Sequence, residues 1–230
     1  MKVTFLVPAY NEAATIVELL DRVWALDLEK QVVVVDDGSQ DGTADLVEAW
    51  RQDGRADDVV LVRKENGGKG SALRAGVPHV RGEIVVIQDA DLEYDPADVP
   101  ELLGPILEGH ADVVYGSRLS GGRPQRAFLF WHLLGNKLLT LLTNVLFNTT
   151  LSDMETGYKV FRAEVFASLD LRERKFGVEP EITGKICRRK LRLYELPISY
   201  YGRTYEEGKK ITWRDGFRAV WVLLRVRLVG

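Results

Sequence analysis

Apolar positions in the first half of the chain come in short runs separated by helix-spaced mixed segments. Thr4 to Pro8 is a short apolar run, and Asn11 is placed to cap a helix over residues 12–25. Four consecutive valines, Val32 to Val35, end in two aspartates, which suits a strand buried on both faces of a parallel sheet. Asp41 then predicts a helix start, with the helix running to about Trp50. Further strands are expected at 59–62, 83–87 and 112–115, and a short helix at 70–78. Asp95-Pro96 is a helix-start pair, with Asp as the cap and Pro in the first turn. This βαβα order predicts an α/β fold: a Rossmann-like, mostly parallel sheet with helices on both faces. Ligands are expected outside the carboxyl ends of its strands.

The pattern changes after Gly116. Residues 127–147 are apolar around most of a helix, interrupted by His132, Asn136, Lys137 and Asn144. This fits a buried core helix, or a helix lying in a membrane interface. A spanning helix is disfavoured because the uninterrupted apolar runs are too short. Residues 213–229 pair Trp213, Phe217, Trp221, Leu224 and Leu228 with Arg214, Arg218, Arg225 and Arg227. That is a basic amphipathic helix, able to pack on the protein or to sit on an anionic membrane. No Pro-, Gly- or Ser-rich linker interrupts the chain. One domain over 1–230 is expected, with a first half at 1–117, a second at 118–212 and the terminal helix at 213–230.

Composition adds three points. The 230 residues allow a substantial core. A single cysteine, Cys187, excludes an intrachain disulfide and a cysteine-based zinc cluster, and three scattered histidines give no His-rich site. The net charge of −3 hides an asymmetry: 1–117 carries 10 Lys/Arg against 23 Asp/Glu, and 118–230 carries 21 against 11. An acidic, metal-binding half and a basic half facing phosphates or an anionic membrane would produce this split, as would solvated helix faces. With a strand-like run at the start and no signal peptide, the expectation is a cytosolic protein. No nucleic-acid-binding motif is present.

The chemistry gathers at strand ends. Asp89-Ala90-Asp91 follows the fourth strand, so two carboxylates at i and i+2 reach one cleft. Hard oxygen ligands of this kind suit Mg²⁺ or Mn²⁺ shared with a diphosphate, and Glu93 could add a ligand or touch the same substrate. Asp36-Asp37-Gly38-Ser39 follows the second strand, where a carboxylate can accept from a base or a ribose; a simple Asx turn explains it equally well. Pro8-Ala9-Tyr10-Asn11-Glu12 closes the first strand, with Tyr10 offering an aromatic face. Asn66 to Ser71 fails the Walker A spacing because Arg63 stands at the first glycine position, and Leu73 breaks G-x-G-x-x-G. An ATPase and a nicotinamide dehydrogenase are thereby disfavoured.

In this order and spacing, Pro8–Glu12, Asp36–Ser39, Gly68-Lys69-Gly70, Asp89–Asp91 and Gly116-Ser117-Arg118 resemble family 2 glycosyltransferases. The resemblance continues through 153–162, 176–183 and 201–211, and is strongest to polyprenyl-phosphate (dolichyl-phosphate) mannose synthases without transmembrane helices. It implies the GT-A fold and an inverting, metal-dependent transfer from a nucleotide-sugar donor. Pro8, Tyr10, Glu12 and Asp37 would hold the nucleoside. Asp89 and Asp91 would sit at the metal and the diphosphate, beside Ala90 and Glu93. Arg203 and Lys209 would close over the diphosphate. Arg118, with Arg126 and His132, would meet the phosphate of a lipid acceptor, with GDP-mannose as the implied donor. Such an enzyme would be peripheral on the cytoplasmic face of a membrane.

Departures from the family pattern bear on the acceptor: Glu93 stands where glutamine is common, Arg126, Trp131 and His132 fill the segment that often places an arginine and a serine on the acceptor phosphate, and Asp153-Met154-Glu155-Thr156-Gly157 replaces D-P-x-S-G. A UDP-sugar donor with a hydroxyl acceptor is the alternative, in which Asp153 or Glu155 would be the catalytic base. A sugar nucleotidyltransferase fits less well, because Pro8–Glu12 is not a glycine- and arginine-rich loop. Retention of both Asp89 and Asp91 argues against a noncatalytic binding module.

Overall fold

The computed structural model describes residues 1–55, 57–127, 129–203 and 213–229. In chain order these hold β1 (Val3–Ala9), α1 (Ile16–Trp24), β2 (Lys30–Asp36), α2 (Thr43–Gln52), β3 (Val59–Arg63), α3 (Lys69–Gly76), β4 (Ile84–Ile87), α4 (Val99–Leu107) and β5 (Val113–Ser117). They continue with α5 (Phe130–Phe147), β6 (Lys159–Arg162), α6 (Ala163–Ser168), α7 (Val178–Arg188), β7 (Leu193–Pro197) and α8 (Trp213–Leu228). Among the described residues seven strands form one sheet, in the order β3-β2-β1-β4-β6-β5-β7. All neighbouring pairs are parallel except those made by β6, which runs antiparallel to both β4 and β5. This inversion carries the loop before β6 to the same edge as the carboxyl ends of the parallel strands.

Alternate residues of each strand feed two cores, as the two-residue period of a strand requires. Phe5, Val7, Val32, Val34, Ile84 and Val86 pack with α1, α2 and α4. Leu6, Val33, Val35, Val85 and Ile87 pack with α3, α6 and α7. The valine run is therefore buried on both sides, as expected for an interior parallel strand.

Three expectations need correction. The first helix starts at Ile16, not near Glu12. Asn11 has φ +53° and bridges two loops, donating from its N–H to Ser39 Oγ and accepting from Gln40 N–H, each at 2.9 Å. Asp41 accepts from Thr43 N–H at 3.0 Å, while Gly42, at φ +89°, is the residue that flanks α2.

The third correction concerns 127–147, where one of the two expected readings, the buried core helix, is excluded. Only Thr140 and Thr143 of α5 are buried, and Trp131 is 77% exposed, so it is not a core helix. Asn136, Thr140 and Asn144 face the protein. Asn136 Nδ2 donates to Asp153 Oδ1 (2.9 Å), Thr140 Oγ1 accepts from Met154 N–H (3.1 Å), and Asn144 exchanges two hydrogen bonds with the Leu151 backbone (2.8 and 2.9 Å). Phe130, Leu138, Leu141 and Val145 point outward. Two of the residues that interrupt the apolar pattern, Asn136 and Asn144, are thus among those that anchor the helix. Beside it, α8 packs on α5 and α7 and exposes Phe217, Trp221, Leu224 and Leu228. Among the described residues no helix is long and apolar enough to cross a membrane.

Candidate active site

A cleft of about 450 Å³ opens at the carboxyl edge of the sheet. Pro8, Tyr10 and Glu12 reach it from the end of β1, Asp37 from the end of β2, Asp89, Ala90, Asp91 and Glu93 from the turn after β4, Arg118 from the end of β5, and Arg203 from the segment after β7. These ten sequence-selected residues share one wall-to-wall space. Lys209 lies outside the described residues.

The acidic turn after β4 is crowded. Leu92 takes φ +60°, and Glu93 N–H folds back onto Asp91 Oδ1 at 3.1 Å. Burial, then the charges of Asp89 and Glu93, push the Asp91 carboxyl up to about 7. Two cations offset this field. Lys69 Nζ lies 2.7 Å from Asp89 and 2.9 Å from Glu179 of α7. Arg203 Nη2 donates to Asp91 Oδ2 at 2.8 Å, and its guanidinium also reaches Glu12 at 3.4 Å and Glu93 at 3.6 Å. Glu93 holds the Arg203 segment in place, accepting from Arg203 N–H (2.7 Å) and Tyr200 Oη (2.9 Å).

Asp37 is held rather than free. Its carboxylate accepts from Gly67 N–H (3.0 Å) and Gly68 N–H (2.6 Å) and pairs with Lys64. Gly68 sits at φ +88°, and a Cβ on Gly70 would come within 2.2 Å of Glu173 O. The glycines of this loop therefore serve close backbone packing, which brings Lys69 to Asp89.

Arg118 and Asp153 form a bidentate pair: Nε and Nη2 each donate at 2.7 Å, and Arg118 N–H adds a third contact at 3.0 Å. Burial disfavours the charge on each, but their attraction outweighs it and holds Asp153 below the usual carboxylate range. Arg118 also stacks on Tyr200, 5.1 Å from the ring centre. Asp153 does not line the cleft. Arg126 donates to Gly202 O at 3.1 Å and lines a shallower groove with Pro124, Gln125, Tyr200 and Tyr201. His132 lies in the first turn of α5, away from the cleft lining.

The cleft contains residues to which sequence reasoning gave no role: Lys69, Tyr94, Gly157, Lys175, Phe176 and Glu179. Lys69 and the 176–183 stretch stood in matching motifs, which is the signal that could have singled them out. Their meeting depends on packing of α3 against the loop before α7. Glu155, a sequence-stated base candidate, also lines the cleft.

Among the described residues no three Asp, Glu, His or Cys side chains group as a metal cage. Asp89 and Asp91 nevertheless fit a hard divalent cation that takes its other ligands from a diphosphate. The crowding that raises the Asp91 carboxyl is the kind of field a cation relieves.

Residues 4–170 match the family model described as glycosyl transferase family 2. An undecaprenyl-phosphate mannosyltransferase of Micrococcus luteus is 31% identical, over 99% of each chain. The glycosyltransferase AglJ of Haloferax volcanii is 32% identical over 87% of this chain, which spans only 63% of that relative's length. Glucosyl-3-phosphoglycerate synthase of Mycobacterium tuberculosis, solved with Mn²⁺, uridine diphosphate and phosphoglyceric acid, superposes with a TM-score of 0.73 at 21% identity, covering all of this chain and 79% of that one. The fold is thus the GT-A fold, and the chain belongs to glycosyl transferase family 2.

Proposed function

We propose that this family 2 glycosyltransferase moves a hexose from a nucleotide-sugar donor, GDP-mannose first among them, to a polyprenyl-phosphate lipid, with inversion. The supporting observation is the placement of α5. Its polar side binds the Asp153 that orients Arg118, and its apolar side faces outward. An Arg118 held beside the cleft suits a phosphate, and an apolar helix face beside it suits the lipid's surroundings. The acceptor phosphate oxygen attacks the anomeric carbon, and the bond to the nucleoside diphosphate breaks with its electron pair leaving on the diphosphate. That oxygen is already anionic near neutral pH, so no proton need be removed.

Tyr10, with Pro8, Glu12 and Asp37, frames the nucleoside end. Arg203 neutralises the diphosphate, a role the family resemblance extends to Lys209, and Asp89 and Asp91 approach it from the sheet. A bound Mg²⁺ or Mn²⁺ would offset charge developing on the leaving diphosphate. Arg118 positions the lipid phosphate at the cleft, with Arg126 in the neighbouring groove, and Asp153 orients Arg118 instead of acting as a base. The enzyme would work as a peripheral protein on the cytoplasmic face of a membrane.

A second reading, a UDP-sugar donor with a hydroxyl acceptor, is favoured by one observation: Glu155 lines the cleft with its carboxyl pushed up to about 7, first by burial and then by Glu179.

The test is incubation with Mg²⁺ or Mn²⁺, a short-chain polyprenyl phosphate and a panel of nucleotide sugars, with mass spectrometry of the lipid. A polyprenyl-phosphate hexose, lost in D91A, is the expected product. Donor-dependent transfer to hydroxyl compounds with none to the lipid would overturn the lipid reading.

A further inference from the structure

Glu155 is fixed at the cleft from both sides. Before it, Asp153 is clamped to Arg118. After it, Thr156 Oγ1 donates to Gly116 O at 2.6 Å, and Gly157 N–H donates to Tyr94 Oη at 2.9 Å. Gly157 lies so close to the acidic turn that a Cβ there would stand 2.4 Å from Asp89 Oδ2. The backbone is therefore set by its neighbours while the side chain lines the cleft. Its Oε1 is out of solvent, and among the described residues no donor reaches it. A buried carboxylate oxygen without a donor is costly, and substrate hydroxyls are a source of donors.

The sheet order gives the chemical class. Across the site edge run Asp37 (β2), Pro8 to Glu12 (β1), Asp89 and Asp91 (β4), Glu155 (before β6) and Arg118 (after β5). Neighbouring strands are about 4.8 Å apart. With the nucleoside at β1 and β2 and the diphosphate at β4, the transferred sugar falls at β6, before the acceptor at β5. A carboxylate repels phosphate but accepts well from ring hydroxyls. We infer that Glu155 grips a hydroxyl of the transferred hexose and so sets which sugar is moved. This rests on reading the cleft as the donor site and on the lipid-phosphate acceptor, whose anionic oxygen leaves Glu155 free of a base's role.

The experiment compares wild type and E155Q by calorimetry and steady-state kinetics. Ligands are GDP-mannose, UDP-glucose, the two nucleoside diphosphates, and donors lacking single ring hydroxyls. Expected are nucleoside diphosphate affinities within about twofold and a 10- to 100-fold loss in kcat/KM for the preferred donor, as for a charge-assisted contact. One deoxy donor should be used equally by both proteins, an equality that a merely structural role would not produce. Equal losses on every deoxy donor, parallel loss of diphosphate affinity, or unchanged kinetics overturn the assignment. Abolished turnover at unchanged donor KM would make Glu155 a base and equally overturn it. Should E155Q fail to fold by thermal denaturation, E155D keeps the charge at shorter reach and must still single out the same hydroxyl. If wild type binds neither nucleoside diphosphate, the donor-site reading itself fails, a result distinct from all of these.

Discussion

Arg118 and Asp153, 35 residues apart in sequence, meet with two side-chain contacts of 2.7 Å, and Asp153 is fully buried. Removing one partner leaves the other charge unpaired, at a cost of about 3–5 kcal/mol. D153N is therefore expected to lower the urea midpoint markedly and to weaken use of the lipid phosphate, with nucleoside diphosphate affinity kept. R118K should not rescue R118A, since an ammonium cannot reproduce the bidentate fork. Full activity in R118A would remove Arg118 from the acceptor site.

Glu155 predicts a pH signature in stability. Its folded carboxyl lies near 7 against an ordinary 4.5, so the folded state holds the proton more tightly than the unfolded chain. Stability from this group is then greatest below about pH 4.5 and falls as pH rises through 7, by up to about 3 kcal/mol. E155Q removes the titration and should gain more stability at pH 8 than at pH 5. Urea denaturation at the two pH values checks it; an equal offset at both would contradict the raised carboxyl.

Chelation should silence the enzyme. With EDTA, turnover is expected to fall by at least about 100-fold and to return with Mg²⁺ or Mn²⁺, the size of effect seen when a major electrostatic contact to the reacting group is lost. D91A should not be rescued by either metal. Full turnover in EDTA would show that Lys69 and Arg203 suffice as counter-charges.

The outward faces of α5 and α8 predict vesicle binding. W131S with L138S and L141S should reduce sedimentation with anionic vesicles by roughly tenfold or more, given about 1.5–3 kcal/mol per buried large side chain. The thermal midpoint should hold, because these side chains are exposed. If Arg218 and Arg227 contribute, binding should also weaken with salt. Equal sedimentation of the variant and wild type would rule out this face as the contact.

Much of the site was legible because local signals sat at strand ends. Asp89-Ala90-Asp91 follows a short apolar run, and a strand end at a sheet edge needs no long-range information to be placed. The β6 strand was not marked, because Lys159-Val160-Phe161-Arg162 holds only two apolar residues between charged ones where the equally short β4 is a continuous apolar run, and nothing local reveals that it runs antiparallel. For α5 the choice between a core helix and an interface helix stayed open for a related reason. Apolar spacing gives the width of a helix's stripe but not which side meets the protein, and here Asn136, Thr140 and Asn144 make the anchoring contacts.

The sequence by itself determined the α/β class, the strands carrying the acidic motifs and the family. Each is written in short-range patterns: runs of valine, a D-x-D spacing, a glycine loop. Only the tertiary structure decided that Lys69 answers Asp89, that Arg203 spans 112 residues to Asp91, that Asp153 is bound to Arg118, and that Glu155 faces the cleft. These pairings depend on strand order and on the reversal of β6, which follow from how both faces of the sheet are covered. No window of the sequence encodes that by itself.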